Sequence, residues 1–322
     1  MNASSTAVSP EASSGTPSRR SRVRPLYWSV RRELWENRSI YIAPLAVAGV
    51  VLIGFMVSAI GLSERRRAVL QLDIAQQRAA IGVPYDIAAV ILMLTTVIVG
   101  VFYCLDALHG ERRDRSILFW KSLPVSDLTT VAAKALVPMA VLPLLAFVVI
   151  LTTQIGMLVV TDVTLLVHGM GITTSAQLPL LEQSPVLIYG LVTLALWHAP
   201  VYGWLLMVSA WAQRATFLWA VLPPLVIAVA ERLAFSTSYV GSILKSRLGG
   251  SFVHAFDLAP QSAAAPPAIP GAHAAPRFMA EIANAVPDPA KFLSTPGLWI
   301  GLVVAALFIA AAVWLRRYRD PM

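Results

Sequence analysis

Six long apolar segments constrain this chain more than any other feature of its sequence. They cover residues 40–62, 87–105, 131–160, 186–212, 216–230 and 297–315. A helix of about 20 apolar residues crosses a hydrocarbon core of about 30 Å. Only 13% of the residues are charged and 57% are hydrophobic, whereas soluble domains carry about 25% charged residues. The sequence therefore predicts an all-α polytopic membrane protein with six transmembrane helices in a domain spanning residues 40–315.

The segments around these spans differ in composition. Residues 1–24 are rich in Ser, Ala, Pro and Arg, which predicts a disordered cytoplasmic tail. Residues 25–39 place apolar side chains near helical spacing between charges, which predicts an amphipathic helix lying in the membrane interface. A basic anchor without a defined helix is the alternative. The expected interfacial anchors are Trp28, Arg31, Arg32 and Trp35.

The distribution of Lys and Arg predicts the orientation. The amino-terminal arginines, the loop 106–130 and the tail 316–322 are basic and are expected to be cytoplasmic. The Pro/Ala-rich segment 231–296 is then an outer loop. The arginines at 65–67 would fall outside, against the rule. The expected location is the bacterial cytoplasmic (inner) membrane, with both termini in the cytoplasm.

Signatures of catalysis or of a resident cofactor are absent from the sequence. It contains no GxxxxGK[ST] loop, no HExxH and no GxSxG, and Cys104 is its single cysteine. The net charge of +8 lies beside apolar segments, which argues for membrane rather than nucleic acid. His198 is the one candidate relay near mid-membrane, although a helix–helix hydrogen bond explains it as well. We expect no enzyme activity and no cofactor or metal on this chain.

The stretch 106–126 combines charges with a bulky apolar run, Ile117 to Trp120, and closes at Pro124. Apolar side chains in a hydrated loop need a lipid or protein surface, which predicts a docking element. The alternative is that the charges only fix topology while the aromatic side chains lie in the interface. The expected partner-interface residues are Glu111, Arg112, Arg113, Arg115, Ser116, Ile117, Phe119, Trp120, Lys121 and Pro124.

This stretch, with Lys134 opening the next span, resembles the permeases of type-2 ABC transporters. Ser116 stands where that family often has Thr, and Arg115 replaces its preceding glycine. The resemblance implies that residues 26–38 form a connecting helix and that residues 116–123 form a short cytoplasmic coupling helix between the second and third spans. It also implies a cytoplasmic ABC ATPase subunit that carries ATP and Mg²⁺, and a second copy of the chain or a paralogous permease.

The expected function is therefore the permease subunit of an ATP-binding-cassette transporter. An exporter of hydrophobic or amphipathic cargo suits spans with few charges. The alternative is a non-transporting scaffold or sensor subunit that holds a cytoplasmic protein through residues 111–126. A membrane enzyme is disfavoured by the missing catalytic constellation.

Overall fold

The computed structural model describes residues 20–114, 125–171, 174, 180–257 and 286–318. Most of the expected tail, the coupling helix 116–123 and the centre of the 231–296 segment lie outside these ranges. The helices in chain order are α1 Arg20–Glu36, α2 Ser39–Ser58, α3 Leu62–Val69, α4 Ile74–Ala107, α5 His109–Arg113, α6 Asp127–Leu136, a π-helical turn Val137–Val141, α7 Leu142–Val167, α8 Leu180–Trp211, α9 Thr216–Phe235, α10 Tyr239–Gly249, α11 Ser251–Ala255, α12 Pro289–Ser294 and α13 Pro296–Tyr318.

Six helical stretches in the described part of the chain are long and apolar enough to cross a membrane. This confirms the prediction of an all-α polytopic membrane protein. Several helices extend beyond the predicted spans. The largest difference is α4, which begins at Ile74 rather than at 87. Its 34 residues correspond to about 51 Å of helix, so α4 is longer than a hydrocarbon core of about 30 Å.

The bundle is built around α8. Of its most apolar stretch 72% is buried, against 6% for α9, which lies at the periphery. α8 packs against α13, α4 and α7, and α2 packs against α4 and α7. Gly203 allows α8 and α13 to approach closely, because an added Cβ would lie 3.0 Å from the Ala305 carbonyl oxygen.

The third crossing contains a π-helical turn where the sequence places a proline. Residues 127–167 form one continuous helical stretch through α6, the π turn and α7. Pro138 lies inside the turn Val137–Val141 and has no N–H for the preceding turn of helix. The local change to wider hydrogen bonding keeps the helix continuous at this point. The turn directly follows the segment that carries Lys134.

The peripheral helix α9 shows how the bundle compensates for a proline inside a span. Pro224 cannot donate to the carbonyl of Ala220, four residues earlier. Trp204 of α8 supplies the missing donor, with its Nε1 3.0 Å from the Ala220 oxygen. Backbone groups freed in a membrane helix need such a partner. This contact joins α9 to the central helix.

The described flanks of the segment 231–296 form short helices and a short antiparallel pair. They contain the end of α9, α10, α11, α12 and the antiparallel pair, with Phe256 opposite Pro287 and Asp257 opposite Val286. Trp197 of α8 donates from Nε1 to the Ser246 carbonyl at 2.9 Å. The Pro/Ala-rich centre, residues 260–276, is predicted from its composition to be an irregular connector, and it lies outside the described residues.

Candidate functional site

A cluster of buried charges lies at the end of the bundle where the chain enters and leaves residues 115–124. We call it the ion cluster. Its members come from α1, α5, α6 and α13, and they balance three carboxylates against three cations. They are Arg32, Glu33, Glu111, Asp127, Lys134 and Arg316.

Glu33 is one of its two inner carboxylates. The Lys134 ammonium donates to Oε1 of Glu33 at 2.8 Å, and the Tyr103 hydroxyl donates to Oε2 at 2.9 Å. Arg32 also lies 2.9 Å from Oε1. Only 1% of the Glu33 side chain and 2% of the Lys134 side chain are exposed. These contacts fix α1 against α4 and α6.

Glu111 is the second inner carboxylate. Its Oε1 lies 3.1 Å from the Lys134 Nζ and 3.0 Å from Arg32 Nη2. Arg316 donates to its other oxygen through Nη1. Arg316 also donates through Nε to Asp127 Oδ1 at 3.0 Å. Lys134 thus lies between two carboxylates, and Arg316 joins the carboxylates on either side of residues 115–124.

Because these charges are buried, each of them needs an oppositely charged partner. A buried ion without a partner costs several kcal/mol, and removing one partner of such a pair typically destabilises by about 3–5 kcal/mol. The environment of Arg32 shows the balance between burial and charge. Burial lowers the pKa of its guanidinium, but the Glu33 charge and hydrogen bond, with Glu36 and Glu111, raise it by more, so that the pKa lies above its ordinary value. Arg32 is therefore held protonated beside the carboxylates.

A second set of contacts fixes the junction of α4 and α5 to the end of α8. The Ser209 hydroxyl accepts from the backbone N–H groups of Leu108 at 3.1 Å and His109 at 2.9 Å. Arg112 donates to the carbonyls of Ser209 and Ala212 at 3.0 and 2.6 Å. These carbonyls belong to the last turn of a helix, where partners within the helix are missing. Arg112 therefore caps α8.

The structure changes the roles of three residues singled out from the sequence. Glu111 and Arg112 are 8% and 4% exposed, so they face the interior of this chain rather than a docking surface. Arg32 points into the ion cluster and away from the expected interface. The reason is the same for all three residues: each side chain contacts an opposite charge or a helix terminus within the chain.

The remaining predicted residues of the loop divide into two groups. Arg113 is exposed and pairs with Asp114 at 3.1 Å, so it remains available at the surface. The others lie outside the described residues: Arg115, Ser116, Ile117, Phe119, Trp120, Lys121 and Pro124.

The expected anchors on α1 form an exposed aromatic face. Trp28 and Trp35 are 59% and 71% exposed. The Arg31 guanidinium lies over both rings, 5.2 Å and 5.5 Å from their centroids. A cation between two indole rings is a favourable arrangement at the depth of the lipid headgroups. The helix itself begins at Arg20, within the segment expected to be disordered.

Sequence reasoning missed the pairing of the ion cluster. The sequence places Lys134 at the opening of the third span and Arg316 in the basic carboxy-terminal tail, and it assigns no role to Glu33. Glu33 and Lys134 are 101 residues apart, and Glu111 and Arg316 are 205 apart. The sequence feature that could have indicated the ion cluster is the glutamate within the basic amphipathic helix. That feature does not identify the residue with which the glutamate pairs.

A smaller polar cluster lies at the other ends of α4 and α7. Arg66 of α3 is 6% exposed and donates to the Thr174 hydroxyl, and the Tyr85 and Thr161 hydroxyls are 3.2 Å apart. Burial lowers the pKa of Arg66. From Tyr85 to Tyr103 the helix rises about 27 Å, close to one hydrocarbon thickness. One of the three arginines that contradict the orientation rule, Arg66, is therefore buried among polar side chains.

His198 and Cys104 lie in the interior of the described part of the chain. His198 donates from Nδ1 to the Leu194 carbonyl of its own helix at 2.8 Å. Cys104 is fully buried. Among the described residues, no group of three or more His, Cys, Asp or Glu could hold a metal ion.

Comparison with known proteins finds no matching family model, no matching curated protein and no matching solved structure.

Proposed function

We propose that this chain is the membrane-spanning permease subunit of an ATP-binding-cassette transporter, an exporter driven by a separate cytoplasmic ATPase subunit. ATP and Mg²⁺ would bind to that partner, and a second copy of the chain or a paralogous permease would complete the transport path. The proposal extends the sequence resemblance around residues 111–126. It also assigns the protein to the bacterial inner membrane, with both termini in the cytoplasm.

The observation that carries this proposal is the position of the ion cluster around residues 115–124. Glu111 lies just before that segment, and Asp127 and Lys134 follow it. Arg316 contacts the carboxylates on both sides. Displacement of the segment would therefore move α1, α6 and α13 through short, buried ionic contacts. A permease driven from outside the membrane needs such a mechanical connection.

The contacts also refine the roles of individual residues. Ile117, Phe119 and Trp120 would supply the apolar docking surface, with Arg113 as an exposed cation beside it. Glu111 and Arg112 act as positioning residues, since they hold the base of the segment against α6, α13 and α8. The π turn directly after Lys134's helix is a point at which movement of α6 could bend the third crossing.

The proposal is tested by affinity purification of the chain from its native membranes in mild detergent. The wild type is compared with an Ile117→Ser/Phe119→Ser/Trp120→Ser variant. Leu128→Ser is the matched control, because Leu128 is 62% exposed at the start of α6. We expect an ATPase with Walker motifs to co-purify with the wild type and the control, and to be lost with the triple variant.

Normal insertion of all three proteins without any associated ATPase would contradict the proposal. An ATPase that binds but hydrolyses ATP at the same rate with and without this chain would favour the scaffold or sensor function instead. These outcomes separate docking from driven transport.

A further inference from the structure

A groove lies at the surface of the bundle between the end of α1, the start of α2 and the start of α7. Its volume is about 640 Å³, within the range of small-molecule sites. It is lined by Leu34, Trp35, Arg38, Tyr41, Val141, Leu144, Leu145 and Val148. The groove lies outside the ion cluster and shares no residue with it.

The lining is polar at one end and apolar at the other. Trp35, Arg38 and Tyr41 lie where α1 passes into α2. From Val141 to Val148 the other wall continues for about 10 Å along the helix, carrying only apolar side chains into the groove. Leu144 is 68% exposed and Val148 is 53% exposed. An amphiphile with a compact polar head and a hydrocarbon chain matches this arrangement.

The charge at the polar end selects the head group. Among the residues described, Arg38 forms no side-chain hydrogen bond or ion pair. The neighbouring carboxylates are already engaged, Glu33 by Lys134 and Glu36 by Arg32. Arg31 adds a second cation 5.5 Å from the Trp35 ring that lines the groove. A guanidinium without a carboxylate partner is suited to bidentate contact with a phosphate.

We propose that this groove is a binding site for one anionic glycerophospholipid. The phosphate lies on Arg38, and an acyl chain lies along Leu144, Leu145 and Val148. Trp35 and Tyr41 flank the glycerol region, as aromatic side chains do at headgroup depth. The bound lipid joins the α1–α2 connection to α7, and so stabilises their contact. The proposal requires only that α2 and α7 span a membrane, and it is independent of the ATPase partner.

The test is native mass spectrometry of the full chain after delipidation in detergent and titration with phosphatidylglycerol or phosphatidylcholine. The variants are Arg38→Gln, which removes the head-group contact, and Leu144→Trp, which fills the groove from an exposed position. Arg113→Gln is the control, because it removes an equal charge from a surface site away from the groove. Melting temperatures of all proteins without lipid show whether the fold is intact.

We expect the wild type and Arg113→Gln to hold one phosphatidylglycerol about tenfold more tightly than phosphatidylcholine, because the choline cation repels Arg38 and offsets the charge of the phosphate that both lipids carry. Arg38→Gln should lose that preference and Leu144→Trp should lose the bound lipid, while both keep the lipid-free melting temperature. Phosphatidylglycerol should raise the melting temperature of the wild type and Arg113→Gln only.

Equal affinity of Arg38→Gln and Arg113→Gln for phosphatidylglycerol would overturn the proposal. So would equal binding of the two lipids by the wild type. If Leu144→Trp converts a dimer into a monomer and leaves lipid binding unchanged, the groove is an interface between copies of the chain, and the lipid assignment is wrong.

Discussion

Lys134 lies between two buried carboxylates, Glu33 at 2.8 Å and Glu111 at 3.1 Å. Its ammonium is therefore part of a balanced set of charges and not an isolated ion extending toward water. A buried set of this kind is sensitive to the loss of one member, because the remaining charges lose their compensation. The same set tolerates the loss of an opposite pair better. This difference allows the ion cluster to be tested without knowledge of any cargo.

Glu33→Gln is expected to lower the free energy of unfolding by about 3 kcal/mol, because it leaves the cluster with one uncompensated positive charge. Glu36→Gln is the matched control: its side chain is 45% exposed and pairs only with Arg32 among the described residues. We expect that control to change stability by less than about 1 kcal/mol. Chemical unfolding in detergent, followed by tryptophan fluorescence, measures both.

The double variant Glu33→Gln/Lys134→Met should be less destabilised than the sum of its single variants, since removing both groups restores charge balance. An additive result would mean that the two side chains contribute separately. The ion cluster would then have no role as a unit.

Helix α9 illustrates how one element depends on a single donor from its neighbour. Its described side chains are largely exposed to the membrane, and its two internal prolines, Pro223 and Pro224, weaken its own hydrogen bonding. The Trp204 indole satisfies the Ala220 carbonyl at 3.0 Å. The helix is therefore held to α8 partly by a hydrogen bond that its own sequence makes necessary.

Trp204→Phe is expected to destabilise the protein by about 1 kcal/mol, the scale of a hydrogen bond between membrane helices. In a Pro224→Ala background the backbone N–H of residue 224 can bond to Ala220, so the same change should cost clearly less. Unfolding of the four proteins in a double-mutant cycle measures the difference. An identical cost in both backgrounds would show that the indole contributes by packing alone.

At the scale of the whole molecule, the sequence predicts what depends on local composition. The six apolar segments give the spans, because a helix that satisfies its own backbone is the stable form of such a segment in lipid. Lys134 and Arg316 show what local composition does not predict. Each has a partner in a distant part of the chain, Lys134 with Glu33 and Arg316 with Glu111. Pairing across 101 and 205 residues follows from tertiary packing, which a single sequence does not specify.

In the segment 231–296, the composition of the centre differs from that of the flanks. Its Pro/Ala-rich centre dominates the composition and predicts an irregular connector. Its flanks form α10, α11 and α12. The Trp197 indole donates to the Ser246 carbonyl of α10, and Arg247 of α10 donates to the Trp197 carbonyl. Arg247 lies 4.5 Å from the Trp197 ring centroid. Local composition is a weak guide where a short helix is stabilised by side chains from another element.

The proposed mechanism connects the two ends of the molecule. The ion cluster lies at one end of α4 and α6–α7, and the Arg66 cluster lies near the other end of the same helices. In the predicted orientation, the first cluster is cytoplasmic and the second is external. Movement that begins at residues 115–124 should therefore change distances between outer helix ends.

The proposed function requires that ATP hydrolysis on a partner subunit moves this chain. We would measure the spin-label distance between Gly171→Cys and Gly241→Cys, two outer positions where an added Cβ meets no atom within 4 Å. Buried Cys104 is replaced by Ala, and the co-purified complex is studied in nanodiscs with ADP or with ATP, Mg²⁺ and vanadate. The Ile117→Ser/Phe119→Ser/Trp120→Ser variant is the control that should not respond.

We expect trapping with ATP to shift the distance distribution of the wild type by more than about 2 Å, the scale of helix and domain rearrangements. The control variant should remain unchanged. Identical distributions with ADP and with trapped ATP, in a complex that hydrolyses ATP, would contradict the claim that this chain is a driven permease.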